Sequence, residues 1–167
     1  MKERMTQKDR EKIQAEIDHR KLVLRPQILD SLKEARAQGD LSENFEYYAA
    51  KRENGANNSR IRYLERLLKN SEIVEDDTTS DEVGLNKTVT VYIEEDDECE
   101  TYKIVTSIRG NSMKNLISIE SPLGKALLHH HVSDKVMIPV SADYSYEVII
   151  REIKDTSDEE DDGIRAF

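Results

Sequence analysis

Two apolar stripes at helical spacing, separated by one short break, constrain this chain more than anything else in it. Between about Thr6 and Ala37 the residues Ile13, Ile17, Leu24, Ile28 and Ala35 recur at intervals of four and seven, with Leu32 close to the same stripe. A second run, Tyr47, Ala50, Asn54, Asn57, Ile61, Leu64 and Leu68, alternates intervals of three and four. Stripes this narrow are coiled-coil seams. Two of them joined by a few residues imply an antiparallel helical hairpin. Pro26 lies inside the first run, where it removes a backbone donor and should bend or loosen the helix, so the reading is one long helix with a kink.

The break spans Gln38-Gly39-Asp40-Leu41-Ser42-Glu43-Asn44. Gly39 is the natural residue just past the first helix, because only glycine adopts the left-handed conformation there without penalty. Asp40 or Ser42 is then expected to cap the second helix. Ser42 is followed three residues later by Phe45 and so lacks the Glu or Gln of a capping box. Asn54 and Asn57 occupy seam positions where an apolar residue would stabilise more, and buried asparagines at such places set register.

Composition changes at Glu75-Asp76-Asp77-Thr78-Thr79-Ser80-Asp81-Glu82, an acidic polar stretch that reads as a linker. Beyond it the period becomes two. Strands are expected around Val89 to Ile93, Tyr102 to Thr106, Leu116 to Ile119, Val136 to Val140 and Tyr144 to Ile153, with Ser141-Ala142-Asp143 as a hairpin turn. Ser121-Pro122 reads as the cap and first residue of a short helix ending near His129. The fold class is therefore α+β: a coiled-coil hairpin over 1–76, a linker over 77–84, a small antiparallel sheet domain with one covering helix over 85–155, and an acidic, disordered tail over 156–167.

Charge is split along the chain. Residues 1–75 carry a net +2 and residues 76–167 a net −12, out of −10 in all. A duplex-binding protein needs a basic face, so the second half should avoid nucleic acid while the first could approach it locally. With aromatics at 5% and no Trp, a thick globular core is not available and an elongated part is expected. The single cysteine, Cys99, excludes an intramolecular disulfide, and no zinc-type Cys/His spacing occurs. No apolar run approaches the roughly 20 residues of a membrane span, so the protein is expected in the cytoplasm.

Potentially reactive groups gather only at the hairpin tip. Asp40 and Glu43 stand three apart across a turn into a helix, where their carboxylates can face one way. Such a pair could share a hard cation, but Mg2+ takes six oxygens, so another molecule would have to supply most of them. Acids in a first helical turn also complement the helix dipole, and spacing alone leaves plain capping open. His129-His130-His131 are consecutive at a helix end and cannot all converge on one ion. Cys99 sits among acids that should raise a thiol pKa and leave it unreactive.

The string from Glu34 to Lys51, EARAQGDLSENFEYYAAK, closely resembles the tip of the bacterial GreA/GreB transcript-cleavage factors. Arg25-Pro26 matches a proline found at that place in the family, and Ser59-Arg60-Ile61 to Leu68 continues the second helix. Asn115 to Ile119, Ser121-Pro122-Leu123-Gly124-Lys125-Ala126-Leu127-Leu128 and Tyr146 to Ile149 resemble its C-terminal domain, so the likeness spans about residues 6–153.

That resemblance implies a transcription elongation factor whose hairpin enters the secondary channel of RNA polymerase and whose second domain is FKBP-like and docks on the channel rim, with Ser121, Pro122 and Leu123 as docking candidates. Asp40 and Glu43 would help retain a second Mg2+ in the polymerase site, so that backtracked nascent RNA is cut near its 3′ end. Gly39, Leu41, Ser42 and Asn44 would complete the tip loop, and Arg36 and Lys51 would face the RNA. The isolated protein would bind no cofactor, would not be an enzyme itself, would meet DNA only indirectly and would not touch membrane. It would be a monomer, associated with the nucleoid through the polymerase. Two departures from the family stand out: Phe45 replaces a common alanine, and the His129 to His131 run replaces small or charged turn residues. The rival readings are a Gre-fold inhibitor that plugs the channel, which would tend to alter the tip acids, and a non-catalytic coiled-coil interaction protein.

Overall fold

The computed structural model describes residues 2–39, 44–157 and 163–166, which divide into two compact units. Residues 7–71 belong to the first unit and residues 72–166 to the second, which residues 4–6 join. Among the described residues no helix is long and apolar enough to cross a membrane.

The first unit is the helical hairpin. Its first limb runs without interruption through α1 (Gln7–His19), a π-helical turn (Arg20–Leu24) and α2 (Arg25–Ala37). The second limb is α3 (Phe45–Lys69). Pro26 explains the π turn: its ring nitrogen has no proton for the carbonyl four residues back, and the chain widens so that Arg25 N–H donates to the Arg20 carbonyl instead. Ile13, Ile17, Ile28 and Ala35 face Ala50, Asn57, Ile61, Leu64 and Leu67 as the buried seam. At the lower end Leu67 takes the deeper place that the alternating spacing assigns to Leu68, which is half-buried.

A polar layer interrupts this seam. Glu16 accepts from Arg20 Nε (2.8 Å) and from Arg60 Nε and Nη2 (2.9 and 3.3 Å), while Arg20 Nη1 donates to Asn57 Oδ1 at 2.9 Å. Burial pushes the Glu16 carboxyl up, but the hydrogen bonds and charges of Arg60 and Arg20 outweigh it and hold the group below its ordinary value.

Two short strands that the alternation of polar residues had hidden, β1 (Glu3–Met5) and β2 (Ser71–Ile73), pair as a two-stranded sheet. The second unit is built on five strands, β3 (Lys87–Ile93), β4 (Glu98–Val105), β5 (Leu116–Ser118), β6 (Lys135–Pro139) and β7 (Ser145–Asp155), in the order β5-β4-β3-β7-β6. The sheet is antiparallel except at one edge, where β5 runs parallel to β4. Two 3-10 turns, Ser107–Arg109 and Ser112–Lys114, carry the crossover that a parallel neighbour requires. Val89, Val91, Ile104, Val148 and Ile150 form the core with Leu127 of the covering helix α4 (Pro122–Leu127). α4 is two residues shorter than expected because Leu128 leaves helical geometry and His129 turns to positive φ.

The acidic segment before β3 is not bare. The Lys87 ammonium is buried and donates to Thr78 Oγ1 (2.8 Å), the Thr79 carbonyl (2.5 Å) and the Glu82 carbonyl (3.1 Å). A β-carbon on Gly84 would collide with the Thr78 and Asp76 side chains that wrap there, so only glycine fits.

Candidate functional site

The hairpin tip is built from its two stems. α2 ends at Ala37 with Gln38 N–H donating to the Ala35 carbonyl at 3.3 Å, and Gly39 follows at φ 114°, as its place past the helix end demands. α3 begins behind Asn44. The Asn44 Oδ1 accepts from Tyr47 N–H at 3.0 Å, and its Nδ2 reaches back to donate to the Ala35 carbonyl at 2.6 Å. One amide thus caps the second helix and staples it to the end of the first. The cap expected at Asp40 or Ser42 is a correction: Asn44 fills it, because an amide can accept from the helix and donate across the turn at once, which a carboxylate cannot.

Asp40, Leu41, Ser42 and Glu43 lie outside the described residues. Gly39 and Asn44, which bracket them, are brought to the tip together. Around that tip, Phe45 is 85% exposed at the first position of α3. Arg36 lies over the Tyr47 ring, its Cζ 5.6 Å from the centroid, and Tyr47 meets Tyr48 edge-on at 5.5 Å. Arg36 and Lys51 are exposed. Among the described residues no group of three or more His, Cys, Asp or Glu side chains could hold a metal ion.

In the second unit, Ser121, Pro122 and Leu123 form one wall of an open, mostly apolar groove of about 380 Å³. Ser121 Oγ accepts from Gly124 N–H at 3.0 Å and donates to the Ser118 carbonyl at 2.7 Å, and Pro122 at the first position costs α4 no hydrogen bond. Gly124 packs so tightly on Ser118 that a β-carbon would overlap the Ser118 carbonyl, which lets α4 lie against β5. The opposite wall, Ile138, Pro139, Val140 and Tyr146, comes from β6, the residue that follows it, and β7. Burial there pushes the Tyr146 hydroxyl up from its ordinary value. Sequence reasoning did not single out this wall; the signal was Ile138-Pro139-Val140, apolar residues running past the alternation at a strand end.

The described residues thus form a helical hairpin whose limbs are stapled near the tip and a strand-rich unit that bears an open, mostly apolar groove. The models of two consecutive families match nearly end to end: "Transcription elongation factor, N-terminal" over residues 3–73 and "Transcription elongation factor, GreA/GreB, C-term" over residues 78–155. Transcription elongation factor GreA of Macrococcus caseolyticus is 42% identical over 149 residues, covering 89% of this chain and 94% of that protein. GreA of Staphylococcus epidermidis is 41% identical over 150 residues, covering 90% and 95%. The chain belongs to the GreA/GreB family of transcription elongation factors. Among solved structures, Gfh1 of Thermus thermophilus overlaps with 23% identity and a TM-score of 0.43 over 92% of this chain and 99% of that one, a superposition too loose to refine the assignment.

Proposed function

We propose that this chain is a transcription elongation factor that binds RNA polymerase through its secondary channel and stimulates the polymerase's own cleavage of backtracked nascent RNA, rescuing arrested complexes. It is an accessory factor and not a catalyst. The observation that carries the reading is the Asn44 staple. Capping was the simplest structural account of the tip acids, and with Asn44 holding α3, Asp40 and Glu43 are not needed for it. A pair of acids that the sequence places between the two limbs, with the cap of α3 supplied by Asn44, is suited to a ligand outside the chain.

In this reading Asp40 and Glu43 donate their carboxylates to the polymerase site, with Gly39, Leu41, Ser42 and Asn44 as the loop that presents them. Two carboxylates are too few for a private Mg2+ site and suit one shared with the polymerase and RNA phosphates. Such an ion, when bound, stabilises the attacking and leaving oxygens of hydrolysis. Arg36, oriented by Tyr47, and Lys51 are placed beside the tip to meet the 3′ end of extruded RNA. The Ser121-Pro122-Leu123 wall and its groove are assigned to docking on the polymerase. The factor works as a monomer in the cytoplasm, nucleoid-associated through the polymerase, and DNA is met only indirectly.

The test is direct. Added to stalled, backtracked elongation complexes, the protein should release short 3′ RNA fragments. Asp40→Ala with Glu43→Ala should abolish that release while polymerase binding is nearly unchanged; undiminished cleavage by the double variant would eliminate the assigned role.

A further inference from the structure

Composition marks the chain beyond β7 as a free acidic tail, yet its described stretches are tied down in the second unit, and at neighbouring points. Thr156, buried at the exit from β7, donates from its N–H and its hydroxyl to the Asn86 carbonyl at 3.2 and 2.9 Å, and its hydroxyl meets that of Thr88 at 2.8 Å. Asn86 also reaches the crossover between β4 and β5. Its Oδ1 accepts from Arg109 Nη2 at 2.5 Å, and Arg109 is itself buried. The second stretch, residues 163–166, comes back to the residue beside Arg109. There Arg165 N–H donates to the Ile108 carbonyl at 2.6 Å, and Ile164 and Arg165 are partly buried where a free end would be exposed.

The Ile108 carbonyl is the one that the crossover turn leaves over. In the 3-10 turn Ser107–Arg109, Arg109 N–H donates to the Thr106 carbonyl at 3.0 Å and Gly110 N–H to the Ser107 carbonyl at 3.2 Å. Asn111 N–H, next in that series, turns away to the Leu116 carbonyl at 2.8 Å and closes a bridge between those two residues. A carbonyl at the end of a short helix needs a donor from elsewhere, and Ile108 is fully buried, so water does not supply it. Arg165 does.

We propose that residues 163–166 are a strap that holds this crossover, and with it the Gly110-Asn111-Ser112 rim of the apolar groove, in one shape. The rim residues follow the anchored turn directly and line the groove opposite β6. A contact that fixes a rim beforehand spares a partner the entropy of ordering it, so the strap strengthens whatever binding the groove performs. The family match ends at residue 155, so the strap lies beyond the part of the chain that the family pattern describes. Its rim belongs to the groove assigned above to polymerase docking, but the strap does not depend on what the groove takes.

The experiment is amide hydrogen exchange on the full chain, resolved residue by residue. In the unaltered protein the Arg165 amide should exchange roughly ten- to thirtyfold more slowly than its intrinsic rate, the protection expected of one backbone hydrogen bond beside a half-buried isoleucine. Two variants release the strap: Arg165→Pro, which removes the donating N–H, and a chain ending at Asp162. In both, the Asn111 and Leu116 amides of the rim bridge should lose roughly three- to tenfold in protection, while Val91 and Ile150 in the core strands stay level. An Arg165 amide exchanging at its intrinsic rate, or rim amides that keep their protection in both variants, would overturn the proposal. So would a loss shared equally by Val91 and Ile150, which would make the segment a general stabiliser of the unit. No readout involves polymerase, so failure of the docking assignment would leave these results standing.

Discussion

Replacing Glu16 by Gln tests what the polar layer of the hairpin contributes. The carboxylate receives three hydrogen bonds from two guanidinium groups, and the side chains are 27%, 27% and 11% exposed for Glu16, Arg20 and Arg60. A buried charge-assisted hydrogen bond contributes about 1.5–3 kcal/mol and a fully exposed ion pair about 0–1. A carboxylate one-quarter exposed lies between, and glutamine keeps one accepting oxygen. The variant should therefore lose about 1–2 kcal/mol at pH 7. Because the Glu16 pKa is lowered in the folded chain, this stability is present above the unfolded carboxyl range and disappears as pH falls through the folded value. Urea unfolding followed by helical circular dichroism at pH 7 and pH 3.5 measures both numbers. A difference below about 0.3 kcal/mol at pH 7, or one undiminished at pH 3.5, would refute the claim that ionic pairing outweighs desolvation here.

The glycines of the two units make opposite predictions. Gly55 lies mid-helix with open space where a β-carbon would stand, so Gly55→Ala should stabilise the hairpin by about 0.5–1 kcal/mol, read as a raised melting temperature. Gly124→Ala should destabilise the sheet domain by about 1–3 kcal/mol through overlap with Ser118, and should weaken whatever the groove binds, measurable by calorimetric unfolding and by competition for polymerase.

Periodicity made the hairpin legible because a seam leaves a mark every three or four residues, and Ile13, Ile17, Ile28, Ile61 and Leu64 are buried where that spacing puts them. Four strands of the second unit were legible through alternation, as in Val89 and Val91, and three-residue β5 only as a short apolar run, Leu116-Ile117. The parallel edge was not, since nothing in Leu116-Ile117-Ser118 distinguishes a parallel from an antiparallel neighbour and the choice is made by the 3-10 turns before it. β1 and β2, at three residues each, are too short for any period to register. At the tip, Gly39 was readable from its obligatory φ, but Asn44 was masked by more familiar capping residues nearby, and its donation to Ala35 is a contact between stems that no local pattern encodes. The linker hid its anchor for a similar reason: Lys87 reads as the first polar residue of a strand until the folded chain surrounds it with carbonyls.

The middle of the hairpin gives up stability for position. Pro26 forces the π turn, and the Arg20 carbonyl inside that turn accepts from Asn57 Nδ2 at 3.2 Å while the Arg20 side chain donates back to Asn57 Oδ1. Arg20 and Asn57 thus read each other through both backbone and side chain, which a leucine at either place could not do. Asn54, three residues closer to the tip, has a buried Oδ1 with no partner among the described residues, so the lock is at Asn57 and not spread along the seam. A slip of one residue between the limbs would shift them by about 1.5 Å and turn one by about 100°. An apolar seam penalises such a slip only through packing, whereas here it would also strand Arg20, Arg60 and Glu16 without partners. If Asp40 and Glu43 act as proposed, at a site on another molecule, that discrimination matters more to the protein than the last kilocalorie of hairpin stability.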